Sequence, residues 1–199
     1  MSLIIAKPFG VAMPTEDEIK NSFDSNSDGF GMAWREHGSP EVNIWKGGMT
    51  IAKSLQMIAS LENPLELEVL LHFRQATQGA VNKSNCHPYP LTSNYNLLRS
   101  KKTCTNMAVT HNGSISDYTK DIKIWEDGKF KTTGDQKFTD TQMFIKEYLS
   151  EIGKKLLVNV NPIIRLVEKA TNSRFALLSS AGFTLIGSFH EHNGLRCSG

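Results

Sequence analysis

Met107-Ala108-Val109-Thr110-His111-Asn112-Gly113-Ser114-Ile115 joins a short apolar run to an Asn-Gly pair. The run has strand character, and Asn-Gly is a strong signal for a tight turn. Gly113 lacks a Cβ, so a substrate carbonyl could approach its backbone N–H closely, while the Asn112 side chain offers a second donor. Two such donors would form an oxyanion hole. The same pair is also typical of an ordinary hairpin turn.

Composition places the chain among ordinary folded proteins. It has 199 residues, of which 39% are hydrophobic, and a formal net charge of +2. That length suits one well-buried core, so we expect a single domain over residues 1–199. Basic residues alternate with acidic ones instead of forming a stripe, which argues against nucleic-acid binding.

The spacing of the cysteines and the lengths of the apolar runs indicate in which cell compartment the protein is expected. Cys86, Cys104 and Cys197 are widely spaced and form no CxxC pair. This argues against a disulfide framework or a zinc site and fits the reducing cytoplasm. Residues 3–6 form an apolar run too short for a signal peptide, and no run is long enough to span a membrane. We therefore expect a cytoplasmic protein without membrane contact.

The order of predicted elements indicates the fold class. Capping boxes at Thr15–Glu18 and Thr139–Gln142 mark two helix starts, and alternating apolar residues predict strands at both ends of the chain. Strand pairs are expected about residues 37–40 and 180–182. There is no regular βαβ alternation and no internal repeat. The sequence therefore predicts an α+β fold with antiparallel sheets.

Glycines and one polar segment add local expectations. Gly29 and Gly31 precede or begin a strand, which suggests close approach by another part of the backbone. Residues 118–136 could turn a second hairpin at residues 126–129. The rest of this segment is polar, and it is interpreted either as an exposed flap or partner surface or, preferably, as a solvated loop.

Three polar residues have both a functional and a structural interpretation. Arg74 follows the apolar strand predicted at residues 69–73. It is interpreted either as a clamp for a carboxylate or as a surface arginine at a sheet edge. Asp140 falls at the first position of a helix, where it complements the helix dipole or could receive a substrate ammonium. His87, alone, is more typical of a structural histidine than of a catalytic one.

Five motifs together resemble the glutaminase domain of class II glutamine amidotransferases, a family with the N-terminal nucleophile (Ntn) hydrolase fold. They occur in the family's order: Asn26-x-Asp28-Gly29-x-Gly31-x-x-Trp34, His72-x-Arg74-x-Ala76-Thr77-x-Gly79, Asn85-x-His87-Pro88, His111-Asn112-Gly113-x-Ile115 and Thr139-Asp140-Thr141. The resemblance covers residues 2 to about 142. It implies a four-layer αββα sandwich, with two antiparallel sheets between helices.

The resemblance also implies roles for individual residues. Arg74 and Thr77 would bind the glutamine α-carboxylate, and Asp140 would bind the α-ammonium. Asn112 and Gly113 would form the oxyanion hole, whose fixed donors stabilise a tetrahedral intermediate. His87 would be a supporting residue near the substrate.

The departure from the family lies at residue 2. The family has a cysteine after the initiator methionine, where this chain has Ser2. A free α-amine there would serve as base, whereas an attached Met1 would leave the chain inert. Serine is the weaker nucleophile, because a thiol ionises far more readily than an alcohol. Three interpretations remain: a deliberate Cys-to-Ser substitution, which we favour because the other motifs are intact, a natural serine hydrolase, or a natural inactive relative.

The leading functional hypothesis is a glutaminase that releases ammonia through a γ-glutamyl-enzyme and passes it to a separate synthetase. One alternative is an Ntn amidohydrolase that cleaves another γ-glutamyl small molecule, and a second is a catalytically inactive interaction subunit. No cofactor is expected. No metal is expected either, because His72, His87 and His111 lie in separate motifs without ligand spacing.

Overall fold

Alternating apolar residues form the strands of two antiparallel sheets. The computed structural model describes residues 1–115, 123–126, 129–132 and 138–199. The strands in these ranges are β1 (Leu3–Lys7), β2 (Phe30–Glu36), β3 (Val42–Gly48), β4 (Leu67–Phe73), β5 (Tyr89–Pro90), β6 (Lys102–Thr105), β7 (Met107–Asn112), β8 (Lys123–Glu126), β9 (Lys129–Thr132), β10 (Arg174–Ser179), β11 (Gly182–Ile186), β12 (His190–His192) and β13 (Leu195–Cys197). The α-helices are α1 (Glu16–Ser25), α2 (Ile51–Ala59), α3 (Tyr95–Arg99), α4 (Asp140–Phe144), α5 (Ser150–Asn159) and α6 (Asn161–Thr171). A π-helical turn at Ile145–Leu149 joins α4 to α5.

The larger sheet has the order β12-β13-β1-β4-β2-β3-β6, and the smaller one has the order β11-β10-β7-β5. Every pairing within both sheets is antiparallel. Strands β8 and β9 pair separately. The predicted α+β class with antiparallel sheets is therefore confirmed.

Side-chain alternation in β1 shows how the layers stack. Ile5 packs with Ile19 and Phe23 of α1 in a core on the outer face of the larger sheet. Its neighbour Ile4 points the other way and packs with Ala176 of the smaller sheet. A third core lies between the smaller sheet and the helices from α4 to α6. Helices thus cover the outer faces of two sheets that pack face to face, which is the expected αββα sandwich.

Local signals in the sequence set the element boundaries. The capping boxes at Thr15–Glu18 and Thr139–Gln142 are both formed. Because Thr139 caps α4, Asp140 becomes its first residue. The predicted strand pairs are also confirmed, as β2 with β3 and β10 with β11.

The strands of the expected second hairpin are present as β8 and β9. The proposed flap or solvated loop at residues 118–136 falls otherwise on positions outside the described residues. Within the described ranges, no helix has the length and apolar character needed to cross a membrane.

The backbone approach predicted at Gly31 is confirmed. A Cβ on Gly31 would lie 2.0 Å from the carbonyl oxygen of His87 and 2.6 Å from Cβ of Lys46. At Gly29 the nearest atom would be Sγ of Cys86, at 2.4 Å. Both glycines therefore let the segment around His87 lie directly against the larger sheet.

Candidate active site

A small cleft brings together six of the seven predicted site residues. It lies where residue 2, the end of β4 and the start of α4 meet. Its walls are formed by Ser2, Arg74, Gln75, Thr77, Gln78, His87, His111, Gly113, Thr139, Asp140 and Thr141. Asn112, the seventh predicted residue, is not among these lining residues.

Ser2 is held by the backbone that follows β4. Its hydroxyl oxygen accepts a hydrogen bond of 3.0 Å from the N–H of Gln75 and donates to the Gln75 carbonyl at 3.2 Å. The N-terminal ammonium of Met1 donates to the Gln75 side chain. The strand alternation that turns Ile4 toward the smaller sheet places Ser2 on the same face.

Arg74 is buried and binds the loop that follows it, so the interpretation of Arg74 as a surface arginine is wrong. Only 2% of it is exposed. Its guanidinium donates to the carbonyls of Gln78 at 2.9 Å, Gly79 at 3.1 Å and Ala80 at 3.1 Å. These bonds use three of five N–H groups and fold the loop around the cation, beside the cleft.

Asp28, from the first of the five motifs, supports the same loop. Its carboxylate accepts from the N–H of Ala76 at 2.8 Å, and its own N–H donates to the Arg74 carbonyl at 3.0 Å. Thr77 then lies exposed on the cleft wall, where its hydroxyl accepts from Ser114 at 3.0 Å. The glycine-punctuated motif before β2 therefore holds the loop that carries Thr77.

Asp140 is 4% exposed, and its carboxylate accepts hydrogen bonds from two backbone N–H groups. Oδ2 accepts from the N–H of Ile115 at 2.9 Å, and Oδ1 accepts from the N–H of Thr141 at 2.8 Å. The helix-dipole interpretation is consistent with this position at the N-terminus of α4. The carboxylate nevertheless also faces the cleft, so a negative charge is available to a substrate.

Three histidines are buried close to one another near the cleft, and two of them, His87 and His111, also line it. The ring of His87 packs against that of His72 in a tilted arrangement, with 4.2 Å between centroids, and lies 6.5 Å from that of His111. Their separate motifs therefore meet in space, which the sequence spacing did not indicate. The described residues nonetheless contain no group of three His, Cys, Asp or Glu side chains arranged to hold a metal ion.

Thr141 connects two of these rings to the carboxylate. Its hydroxyl lies 2.8 Å from Nδ1 of His111 and 3.2 Å from Nε2 of His87, and donates to Oδ1 of Asp140 at 3.3 Å. The hydroxyl has one proton for three neighbours, so at least one imidazole donates to the Thr141 oxygen. With that proton directed at the carboxylate, His111 is the Nδ1–H tautomer and His87 the Nε2–H tautomer.

Burial keeps the three rings neutral. It lowers the pKa of His111 to about 4, against a smaller opposing effect of Asp140, and lowers the pKa of His72 to about 3. Burial likewise holds the pKa of His87 well below its ordinary value. The histidines therefore act as neutral hydrogen-bond donors at pH 7, and His87 is better placed to support Asp140 than to transfer protons.

Gly113 and Asn112 do not form a hairpin turn. Asn112 is the last residue of β7, whose partners are β10 and β5 rather than the next strand of the chain. At Gly113 φ is +150°, and a Cβ would lie 2.3 Å from Oγ of Ser173. Ser173 is thus the close neighbour that requires glycine here, while Gly113 also lines the cleft.

The Asn112 amide is directed at a residue that the sequence did not suggest. Its Nδ2 donates to Oγ of Ser198 at 2.9 Å, and its Oδ1 is buried without a hydrogen-bond partner among the described residues. Gln75, which holds Ser2, was also missed. Thr141 stood in a quoted motif without a role, whereas nothing in the local sequence marks Gln75 or Ser198.

A comparison with known protein families gives a match over most of the chain. The family model described as "Glutamine amidotransferases class-II" matches residues 17–186, most of the chain. The matched range includes all the lining residues named above except Ser2. No curated protein matches the sequence.

Proposed function

The chain belongs to the class II glutamine amidotransferases, and on that premise we propose that the cleft beside residue 2 is a site that hydrolyses the side-chain amide of glutamine when residue 2 is a cysteine. The observation that carries the proposal is the meeting of a buried cation, Arg74, and a buried anion, Asp140, on the walls of that cleft. A zwitterionic amino acid needs one charge of each sign.

The head group of glutamine would bind between these charges. The N–H groups of Arg74 that are not used by loop carbonyls would bind the α-carboxylate, and Thr77 would add a hydroxyl. Asp140 would accept from the α-ammonium. His87 contributes by holding Asp140 through Thr141.

The amide carbon would then lie next to residue 2. The nucleophile attacks this carbon, and the oxyanion is stabilised by the backbone N–H of Gly113 and the side chain of Asn112. The C–N bond breaks, ammonia leaves with a proton supplied by the α-ammonium of residue 2, and a γ-glutamyl-enzyme remains. Water hydrolyses this ester or thioester to glutamate and restores the enzyme.

Serine at residue 2 makes the present chain a poor catalyst. The base in this scheme is the α-amine of residue 2, which exists only in a chain without Met1. An alkoxide is far harder to form than a thiolate at neutral pH, so Ser2 would react slowly even with a free amine. We infer that the Ser2 form is inactive and that cysteine at this position gives the working enzyme.

The wider setting follows from the same proposal. Residues 1–199 would act as one amidotransferase domain of the Ntn-hydrolase type that delivers ammonia to a separate synthetase, without a cofactor. The three cysteines are free thiols, which supports a reducing compartment such as the cytoplasm.

The test is glutamate and ammonia release by the Ser2→Cys protein, with removal of Met1 verified by intact mass. We expect one glutamate and one ammonia per glutamine. Release from other γ-glutamyl amides but not from glutamine would favour the broader amidohydrolase. No turnover of any γ-glutamyl compound would contradict the proposal and favour an interaction subunit.

A further inference from the structure

Ser198 forms two hydrogen bonds to β1, the strand that follows the nucleophile position. It follows β13 and is 3% exposed. Its backbone N–H donates to the Ile4 carbonyl at 3.0 Å, and its hydroxyl oxygen accepts from the Ile4 N–H at 2.9 Å. Ile4 is two residues from Ser2, on the same face of the strand. The position of the Ser198 hydroxyl is therefore fixed relative to the nucleophile.

The same hydroxyl contacts Asn112. Its oxygen also accepts from Nδ2 of Asn112, at 2.9 Å. Asn112 lies on the face of β7 that carries Ala108, which packs between the two sheets. One buried hydroxyl thus connects β1, which follows Ser2, to the side chain expected to stabilise the oxyanion.

The arrangement leaves one polar atom unsatisfied. Oδ1 of Asn112 is buried without a partner in the described part of the chain. The proton of the Ser198 hydroxyl is not used by the two bonds that its oxygen accepts. A 180° rotation of the Asn112 amide would bring Oδ1 to that proton and direct Nδ2 away from Ser198. A hydroxyl can serve either orientation, because it both donates and accepts.

We propose that Ser198 is a positioning residue for the oxyanion hole, one that orients the Asn112 amide by donating its hydroxyl proton to Oδ1. Nδ2 then takes the buried position that Oδ1 now occupies, and neither of its hydrogens is bound to Ser198. The inference rests on the proposed glutaminase function and assigns Ser198 no contact with the substrate.

The role predicts a specific kinetic pattern. An oxyanion donor stabilises the tetrahedral intermediate more than the bound substrate, so disordering it lowers kcat and leaves KM nearly unchanged. In the Ser2→Cys background without Met1, we expect Ser198→Ala to lower kcat about 10- to 100-fold with KM within about twofold. Ser198→Thr keeps the hydroxyl and should retain most of the activity.

A second measurement separates positioning from general damage. The γ-aldehyde analogue of glutamine adds the thiol at residue 2 and forms a tetrahedral adduct, whereas glutamate binds without one. Ser198→Ala should weaken aldehyde binding about tenfold or more while glutamate binding is unchanged. The matched control is Ser179→Ala, because Ser179 is equally buried, at 1% exposure, and its hydroxyl oxygen accepts from Ala181 away from the cleft.

The outcomes distinguish the two proposals. Parental kcat and aldehyde affinity in Ser198→Ala would overturn the role of Ser198 alone. Equal loss of aldehyde and glutamate binding would also overturn it, because it would show a structural effect. A Ser2→Cys parent that neither releases glutamate nor binds the aldehyde would overturn the glutaminase proposal, and the role of Ser198 with it.

Discussion

Nδ1 of His111 lies 2.8 Å from the hydroxyl oxygen of Thr141, and that hydroxyl donates to the carboxylate of Asp140. The neutral ring of His111 thus holds the Thr141 hydroxyl in place, and this hydroxyl in turn donates to the Asp140 carboxylate. Nε2 of His87 lies 3.2 Å from the same oxygen. The Asp140 carboxylate, which lines the cleft, is therefore oriented by the Thr141 hydroxyl and by the two imidazoles that contact this hydroxyl.

Removing the Thr141 hydroxyl should weaken substrate binding. In Ser2→Cys without Met1, we expect Thr141→Val to raise KM for glutamine about 10-fold or more, because a hydrogen bond to a charged group is worth about 1.5–3 kcal/mol. Thr141→Ser should stay near the parent. Thr171→Val removes a buried hydroxyl bonded to Val167 within α6 and serves as control. Steady-state kinetics test this, and an unchanged KM in Thr141→Val would contradict it.

The buried histidines should make stability fall in acid. Because burial lowers the pKa of His111 to about 4, the unfolded chain binds its proton first as pH drops. The contribution of neutral His111 to the free energy of unfolding is complete above about pH 6.5 and is lost as pH falls toward 4. His111 alone should cost about 2 kcal/mol of unfolding free energy between pH 7 and pH 5.

The measurement is urea unfolding of the parent and of His111→Asn across that pH range. Asparagine does not titrate and offers an amide near the position of Nδ1. The variant should show a flatter pH dependence, whatever its stability at pH 7. His37→Asn, at an exposed position, is the control. Parallel curves for the parent and His111→Asn would show that His111 is not the titrating group.

Lysine should not replace Arg74. An ammonium keeps the charge but cannot serve three loop carbonyls and a carboxylate with fork geometry. In the active background, Arg74→Lys should raise KM for glutamine roughly 30-fold, equivalent to about 2 kcal/mol. Arg165→Lys, on the exposed face of α6, should have no effect. Glutamate-release kinetics decide, and a KM equal to that of the parent would count against the carboxylate clamp.

Gly31 should tolerate no side chain. A Cβ there would lie 2.0 Å from a backbone carbonyl oxygen that cannot move away alone. We expect Gly31→Ala to lower unfolding free energy by about 3 kcal/mol or more. Gly38→Ala meets no atom within 4 Å and has only its φ of +82° to strain it, so its cost should be about 1 kcal/mol. Urea unfolding of the two variants tests this. Equal losses of unfolding free energy in Gly31→Ala and Gly38→Ala would exclude the steric explanation.

The sequence predicted those parts of the fold and site that depend on local chemistry. Thr139 and Gln142 specify a helix start, so the position of Asp140 could be predicted from neighbouring residues alone. The polar end of an apolar strand likewise marked Arg74, although not its burial under three carbonyls. The family resemblance, and no local pattern, supplied the four-layer arrangement.

The remainder depends on contacts between distant segments. Asn112 and Ser198 are 86 residues apart, and their hydrogen bond follows from β13 pairing with β1. Residues of β13 are few and carry no strong strand signal. His72, His87 and His111 likewise converge only when β4 and β7 lie in facing sheets. Such pairings are set by tertiary packing, which single-sequence periodicity does not encode.

Covalent labelling of residue 2 tests the central claim most directly. The reagent is a glutamine analogue with a diazoketone in place of the amide, and the protein is Ser2→Cys with Met1 removed, analysed by peptide mass spectrometry. The account predicts one adduct per chain, at residue 2, suppressed by excess glutamine and absent from Ser2→Ala. Cys104 is exposed and provides an internal comparison for plain thiol reactivity. No adduct at residue 2, or labelling of Cys104 alone that glutamine does not suppress, would contradict the assignment of this cleft as a glutaminase site.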